Sequence, residues 1–286
     1  MLLYKQIKKI NKEYVKRTLN NLLKEDTPNG DPTTTTTISK NEKGKYVIRA
    51  REKMVFCGST IIKNAFTGAV KINMATQDGD PLKANTEIAH IHGNKREILT
   101  KERLVLNMIQ HLSGIATNTN KYVKKINNNK IKILDTRKTT PGLRIFEKNA
   151  VYHGGGSNHR LDLSSGIMIK DNHITNNIDE MAQKLKKQTR KLPIQMEIDN
   201  INQISKANTQ AVDAFLLDNM QPAQIRKCIR KINQMKVKNK KIFIEVSGGI
   251  TLKNILKYNI EGVNGISIGA LTHQSQSVDI GLDIES

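Results

Sequence analysis

Tryptophan is absent from this chain, and aromatic residues of every kind make up 4% of it. Proteins that hold single-stranded nucleic acid stack its bases on aromatic rings, and little is present to build such a platform. Cysteine is almost as scarce. Cys57 and Cys228 stand far apart and form no CxxC pair, which excludes a disulfide framework and leaves two buried free thiols in a reducing cytoplasm as the expectation. Neither lies in a loop beside a histidine or aspartate, so neither reads as a nucleophile. Long apolar runs are missing too: nothing approaches the ~18 residues of a membrane-spanning helix. The opening MLLYKQIKKINKEYV has no apolar stretch followed by small residues. It is expected to be a peripheral amphipathic helix carrying Leu2, Leu3, Ile7 and Ile10, and not a secretory leader.

Acidic residues are also short, 26 against 47 Lys and Arg, for a formal net charge of +21. That excess invites a nucleic-acid reading. The lysines argue otherwise, because they are spread along the chain, as in LKKQTRK (185–191), KCIRK (227–231) and KVKNKK (236–241). A basic surface of this kind binds polyanions without preference, and added salt abolishes the binding. A specific nucleic-acid partner is not expected, nor is a membrane.

What is present is organised in two styles. Hydrophobic residues are only 37% of the 286, yet they gather into strand-length runs that can close a core. Residues 1–30 read as helical up to Pro28-Asn29-Gly30, and the threonines Thr33–Thr37 read as a loop entering an edge strand. Residues 45–75 alternate in β fashion, DGDP (78–81) is a turn, and TEIAHIHG (86–93) resumes a strand. A helix is then expected from a Thr100 cap, with Arg103 in its first turn, to Ser113-Gly114; Leu104, Leu106, Met108, Ile109 and Leu112 supply its apolar residues. Residues 1–112 are expected to form an antiparallel sheet with a helix or two, an α+β module.

From 131 onward the pattern becomes strand, loop, helix. Six apolar runs each end in polar residues: IKILD before Thr136-Arg137-Lys138, IMIK ending at Lys170, IQMEID carrying Glu197, AFLLD ending at Asp218, KIFIEV before Ser247-Gly248-Gly249, and GISIG carrying Ser267 and Gly269. Helices are expected over 174–190, 223–235 and 251–259. Six strands are too few for a regular eight-stranded barrel, so the expected fold is α/β, an irregular open barrel over 113–269. The strand-like tail, within 270–286, returns to the first module.

Carboxyl ends of parallel strands are where such folds place their chemistry. Arg137 and Lys138 side by side repel one another unless an anion sits between them; arginine offers a fork for a carboxylate and lysine a point charge for phosphate. HGGGSNHR (153–160) adds His159 and Arg160, although a lone histidine there is as well explained by packing. Lys170 fits an anion or, with a carbonyl substrate, a Schiff base. Glu197 and Asp218, on consecutive strands, suit ribose hydroxyls or Mg²⁺, or else neutralise Arg137 or Lys170. EVSGGITLKN (245–254) offers a strand–turn–helix to a phosphate, and ISIGALT (266–272) repeats it.

The segments ERLVLNMIQHLSGIAT (102–117), ILDTRKTTPGLRIFEKNAVYHGGGSNHRLDLSSGIMIKDNHI (133–174), FLLDNM (215–220), EVSGGIT (245–251) and ISIGALTHQSQSVDIGLDI (266–284) resemble the quinolinate phosphoribosyltransferases. The resemblance reaches back through EDTPNGDPTT (25–34) and covers nearly the whole chain. It implies transfer of phosphoribose from phosphoribosyl pyrophosphate to quinolinate with decarboxylation, giving nicotinate mononucleotide, pyrophosphate and CO₂, with Mg²⁺ as cofactor. It implies an N-terminal α+β sandwich domain over 1–112, a C-terminal open α/β barrel, and a head-to-tail homodimer in which one subunit's sandwich covers the other's barrel and Arg103 reaches across to quinolinate. Arg137, His159, Arg160 and Lys170 would surround the two carboxylates, with Thr136 and Lys138 in the same anionic pocket. Glu197 and Asp218 would hold ribose and metal, while Ser247, Gly248, Gly249 and Gly269 would take the 5-phosphate, with Ser267 a further substrate contact. Lys138, Lys170, Glu197 and Asp218 are the implied catalytic set. A relative acting on nicotinate, with one carboxylate, is the rival reading.

Overall fold

The computed structural model describes residues 3–170, 173, 180–181, 184–185, 192–235 and 241–285. It divides into two compact units, one of residues 7–120, 145–155 and 274–286, the other of residues 1–6, 121–144 and 156–273.

The first unit is built on a four-stranded antiparallel sheet in the order β12-β1-β5-β3, comprising β1 (Lys43–Ala50), β3 (Val70–Met74), β5 (Glu87–Asn94) and β12 (Ile280–Ile284). β12, from the C-terminal tail, pairs along β1 from Tyr46↔Ile284 to Ala50↔Ile280. The short β2 (Met54–Val55) and β4 (Pro81–Leu82) form a separate pair.

Its helices depart from the sequence expectation in three places. Residues 3–11 are irregular, and the first helix, α1, is Lys12–Asp26, capped by the Asn11 side chain on the N–H groups of Glu13 and Tyr14. The threonine run is not a loop. Asp31 accepts from the N–H of Thr34 and Pro32 occupies the first turn, so Pro32–Thr37 closes as a short helix, α2, since cap and proline outweigh the β preference of threonine. The bridging helix is far longer than expected: after α3 (Ser59–Ala65), α4 runs from Lys95 to Ile126. Thr100 donates to Asp31 Oδ2 (2.9 Å) instead of capping a terminus. Ser113 and Gly114 do not end α4 because their smallness is used sideways. Ser113 Oγ accepts from the Cys57 N–H at 3.0 Å, and a Cβ on Gly114 would stand 2.1 Å from the carbonyl oxygen of Gln276.

The second unit is a parallel sheet of six strands in the order β7-β8-β9-β10-β11-β6. They are β6 (Lys132–Leu134), β7 (Ile167–Ile169), β8 (Ile194–Ile198), β9 (Ala214–Asp218), β10 (Phe243–Ser247) and β11 (Gly265–Ser267), the six runs picked out from the sequence. Each neighbours the next in chain order except that β6 closes beside β11. The sheet stays open between β6 and β7, where β6 is extended only by a bridge from Leu134 to Ser157. Strand interiors are buried: Phe215, Leu217 and Val246 are fully enclosed.

After α5 (Arg144–His153) and α6 (Lys206–Ala211), α7 (Pro222–Gln234) buries Ile225, Cys228, Ile229 and Ile232, the one-faced spacing of a packed amphipathic helix. The helix expected over 174–190 falls for the most part outside the described residues. That expected over 251–259 is not α-helical: a turn leads into a single 3-10 turn, Ile255–Tyr258. The helix after Gly269 is only Ala270–His273, α8.

Candidate active site

Alternation along the strands sorts the site residues. Cross-strand partners in a parallel sheet share a face, and Glu197, Leu216, Glu245 and Gly265 are aligned in one row across β8, β9, β10 and β11. Two residues onward along β9 and β10, Asp218 is aligned with Ser247. The carboxyl ends of the strands therefore gather Lys170, Glu197, Asp218 and Ser247 at one end of the unit, while Gln195 and Glu245 lie inside on the same face.

At the open side, Arg160 is 7% exposed. Its guanidinium donates to the carbonyl of Gly166 (3.1 Å) and touches Met168 Sδ (3.6 Å). Burial, and after it the charge of Arg137, pull Arg160 below its ordinary value. Arg137 itself keeps a buried Nε with no hydrogen-bond partner among the described residues. Buried donors are rarely left so. Two neighbouring guanidinium groups, one with an idle donor, form a receptor for an anion.

Lys170 Nζ donates to Glu197 Oε2 at 2.8 Å, so the pair weighed as mutual neutralisation does form. Asp218 Oδ2 accepts from Asn219 Nδ2 at 2.7 Å. Asn219 has φ +51, and its N–H donates to the carbonyl of Ser247. That turn brings its side chain against Gly248, where a Cβ would lie 2.1 Å from Asn219 Oδ1. Gly248 and Gly249 have φ +97 and +59, conformations that glycine adopts freely. The turn through Ser247, Gly248 and Gly249 has no α-helix directly behind it, only the 3-10 turn Ile255–Tyr258. Lys138 is exposed, and its stem passes 3.1 Å from where a Gly269 Cβ would be, beside His273. Thr272 Oγ1 also donates to the Lys138 carbonyl (2.6 Å), so Lys138 stands nearer the glycine turns than its neighbour Arg137 suggests. Thr136 Oγ1 accepts from the N–H of Lys138.

Two expected ligands turn inward. The Ser267 hydroxyl donates to Glu245 Oε1, and Ser267 is 4% exposed. His159 is 6% exposed, with Nε2 2.9 Å from Gln195 Oε1 and Nδ1 accepting from the Arg160 N–H. Arg103 is exposed on α4 and belongs to the first unit.

Sequence reasoning missed Asp135, whose buried carboxylate braces the 157–160 segment by accepting from Asn158 Nδ2 (2.7 Å) and the His159 N–H (2.8 Å). It also missed Tyr4, Gln195, Glu245 and His273. A trace of two of these was readable: Gln195 and Glu245 precede Glu197 and Ser247 by two residues within otherwise apolar strands.

Among the described residues no three His, Cys, Asp or Glu side chains cluster to hold a metal. Glu197 and Asp218 supply two carboxylates from adjacent strands, which fits a hard cation completed by substrate oxygens and water and does not fit an all-protein cage.

An open α/β barrel with guanidinium groups, two carboxylates and a glycine turn at its strand ends defines an enzyme for multiply anionic, sugar-bearing substrates. Residues 31–113 match the N-terminal domain of quinolinate phosphoribosyl transferase and residues 115–283 its C-terminal domain, and the chain belongs to that family. It is 40% identical over 276 residues to a probable carboxylating nicotinate-nucleotide pyrophosphorylase of Bacillus subtilis, covering 94% of this chain and 93% of that one. It is 40% identical over 281 residues to one so named in Methanocaldococcus jannaschii, covering 96% and 98%. The solved nicotinate-nucleotide pyrophosphorylase of Francisella tularensis superposes with a TM-score of 0.89 at 34% identity, over 99% of this chain and 100% of that one.

Proposed function

We infer that the chain transfers phosphoribose from phosphoribosyl pyrophosphate to the nitrogen of quinolinate and releases pyrophosphate and CO₂, leaving nicotinate mononucleotide, a step of NAD biosynthesis. The observation that carries the site assignment is the buried, unpartnered Nε of Arg137 beside the desolvated Arg160. One guanidinium could serve one carboxylate; two in mutual repulsion favour a dicarboxylate. On this reading Arg137, Arg160 and Lys170 hold the two carboxylates, and Arg103 of a second subunit closes over them in a homodimer. The N–H groups at Ser247, Gly248, Gly249 and Gly269 hold the 5-phosphate of the sugar, with Lys138 beside the Gly269 turn.

Glu197 and Asp218 bind the ribose hydroxyls and flank the carbon that turns cationic as pyrophosphate leaves. Lys170, released from Glu197 by the arriving carboxylate, exchanges one anion for another, and Glu197 is freed for the sugar. These two carboxylates would also hold Mg²⁺, which when bound supplies positive charge to the departing pyrophosphate. The pyridine nitrogen, once alkylated, bears a positive charge that stabilises the carbanion left when the adjacent carboxylate departs as CO₂, and a proton then replaces it. Positioning and electrostatics supply the rate, with no covalent enzyme intermediate. Two free, buried thiols support a reducing cytoplasm as the compartment.

The test is stoichiometric release of CO₂ and pyrophosphate from quinolinate and phosphoribosyl pyrophosphate, run beside nicotinate. Turnover of nicotinate without turnover of quinolinate overturns the assignment.

A further inference from the structure

Beneath the strand ends lies a hydrogen-bonded ladder that meets Arg160 through His159. Gln195 and Glu245 are both fully buried. We propose that Gln195 and Glu245 are positioning residues for Arg160, acting through the His159 imidazole and fixing which of its nitrogens carries the proton. The proposal rests on the reading that Arg160 holds a quinolinate carboxylate.

The direction of every bond in the ladder follows from its two ends. At the upper end the backbone N–H of Arg160, which can only donate, points at His159 Nδ1 from 2.8 Å. Nδ1 is therefore the unprotonated nitrogen and the ring proton is on Nε2. That Nε2–H donates to Gln195 Oε1 at 2.9 Å, provided the amide presents its oxygen. A flipped amide would set two donors against one another. Glu245 forbids the flip, because its carboxylate accepts and takes Gln195 Nε2 on Oε2 at 2.7 Å. Its other oxygen accepts from Ser267 Oγ. Tyr4 reinforces the same amide orientation by donating to Gln195 Oε1 (3.0 Å), with its ring tilted over the imidazole at 4.6 Å between centroids. Glu245 Oε2 also lies 3.6 Å from His159 Nε2. Burial and then Glu245 push the Tyr4 phenol well up, so it stays a donor.

A wholly buried carboxylate is a costly way to fill a barrel interior, since apolar side chains of similar size pack there without desolvation. What apolar residues lack is polarity. The ladder converts the acceptor character of Glu245 into an acceptor at Nδ1, and that acceptor holds the Arg160 backbone N–H while its guanidinium donates to the Gly166 carbonyl under the charge of Arg137. Both imidazole nitrogens are engaged within the protein, so His159 serves the substrate through Arg160.

The deciding variant exchanges the two residues, Gln195→Glu together with Glu245→Gln. Every hydrogen bond is kept: the new carboxylate accepts from Tyr4, His159 and the new amide, whose oxygen accepts from Ser267. The negative charge, however, moves from 3.6 Å to hydrogen-bond distance of Nε2 and so favours a doubly protonated ring, whose Nδ1–H opposes the Arg160 N–H. The expected result is a folded enzyme whose KM for quinolinate rises on the order of tenfold, as for one lost hydrogen bond, with KM for phosphoribosyl pyrophosphate unchanged. Wild-type KM for quinolinate in the folded double variant overturns the proposal.

Should that variant not fold, ¹⁵N NMR of the wild-type protein at pH 8, with His159 assigned by a His159→Gln difference spectrum, decides alone. A protonated Nε2 with bare Nδ1 is expected, and a protonated Nδ1 sinks the idea. Arg160→Ala separates the underlying reading. If it leaves KM for quinolinate unchanged, Arg160 is not a carboxylate ligand. If it raises that KM while the double variant behaves as wild type, only the positioning role fails.

Discussion

Gly248 and Gly249 differ in what a methyl group would meet. At Gly248 it would lie 2.1 Å from Asn219 Oδ1 and 2.8 Å from the Asn219 nitrogen, at φ +97; at Gly249 nothing lies within 4 Å, and only φ +59 opposes it. Gly249→Ala should cost about 1 kcal/mol for the left-handed conformation and lower kcat/KM for phosphoribosyl pyrophosphate less than Gly248→Ala does. Gly248→Ala should cost about 1–3 kcal/mol in strain. Because the displaced Asn219 is bonded to Asp218, it should also lower kcat/KM for phosphoribosyl pyrophosphate on the order of 100-fold. Urea unfolding and steady-state kinetics on the pair check this; equal effects would mean that the Asn219 contact has no catalytic consequence. The cysteines are a quieter case. Burial pushes both thiols up, Cys57 the further with Asp78 adding to it, in keeping with packing and against nucleophilic chemistry.

Two elements owe their form to contacts that intrinsic preference opposes. In the middle of α4, alanine is better than glycine by about 1 kcal/mol. Gly114→Ala should nevertheless destabilise, since the methyl would fall 2.1 Å from the Gln276 carbonyl and overpacking of this kind costs about 1–3 kcal/mol. A thermal midpoint at or above wild type would show that the 276–277 segment yields without cost. The helix α2 depends on Asp31, which accepts from the Thr34 N–H and from Thr100 Oγ1. These bonds, that to Thr34 first, hold its carboxyl below the usual aspartate range. A depressed folded value means that the stabilisation is present above the unfolded value and disappears as pH falls through the folded one. Asp31→Ala should therefore lower the unfolding midpoint at neutral pH, and the gap to wild type should close in acid. A gap independent of pH would assign the effect to packing of α2 and not to the charge.

The whole site, on the reading proposed here, is assembled from two subunits. Arg103→Ala and Lys170→Ala should each abolish most turnover. Mixed under conditions of subunit exchange, they should recover about a quarter of wild-type activity, because in a random mixture half the dimers are hybrids and each hybrid has one intact site. Proven exchange without recovery would place Arg103 in its own chain's chemistry or in none. The charge of +21 belongs to this scale as well: a surface of that sign attracts anions in general and by itself names no particular partner.

All six barrel strands, the glycine turns after β10 and β11, the returning tail, and the cations and carboxylates at the strand ends were legible in the chain. They depend on local rules: apolar runs of strand length, turn residues and period. What stayed hidden depends on register and on contacts between distant segments. That Lys170 meets Glu197, that Ser267 turns down to Glu245, that Thr100 reaches Asp31, and that Tyr4 covers His159 are pairings across 27, 22, 69 and 155 residues. The length of α4 is hidden for the same reason, since Gly114 looks like a stop until the 276–277 segment that presses on it is known. Sequence alone settled which chemical groups stand at the strand ends, because alternation and turn chemistry act within a few residues. Only tertiary structure decided which of those groups face a substrate and which face one another, because that choice is made by burial and by donors and acceptors that the chain brings together last.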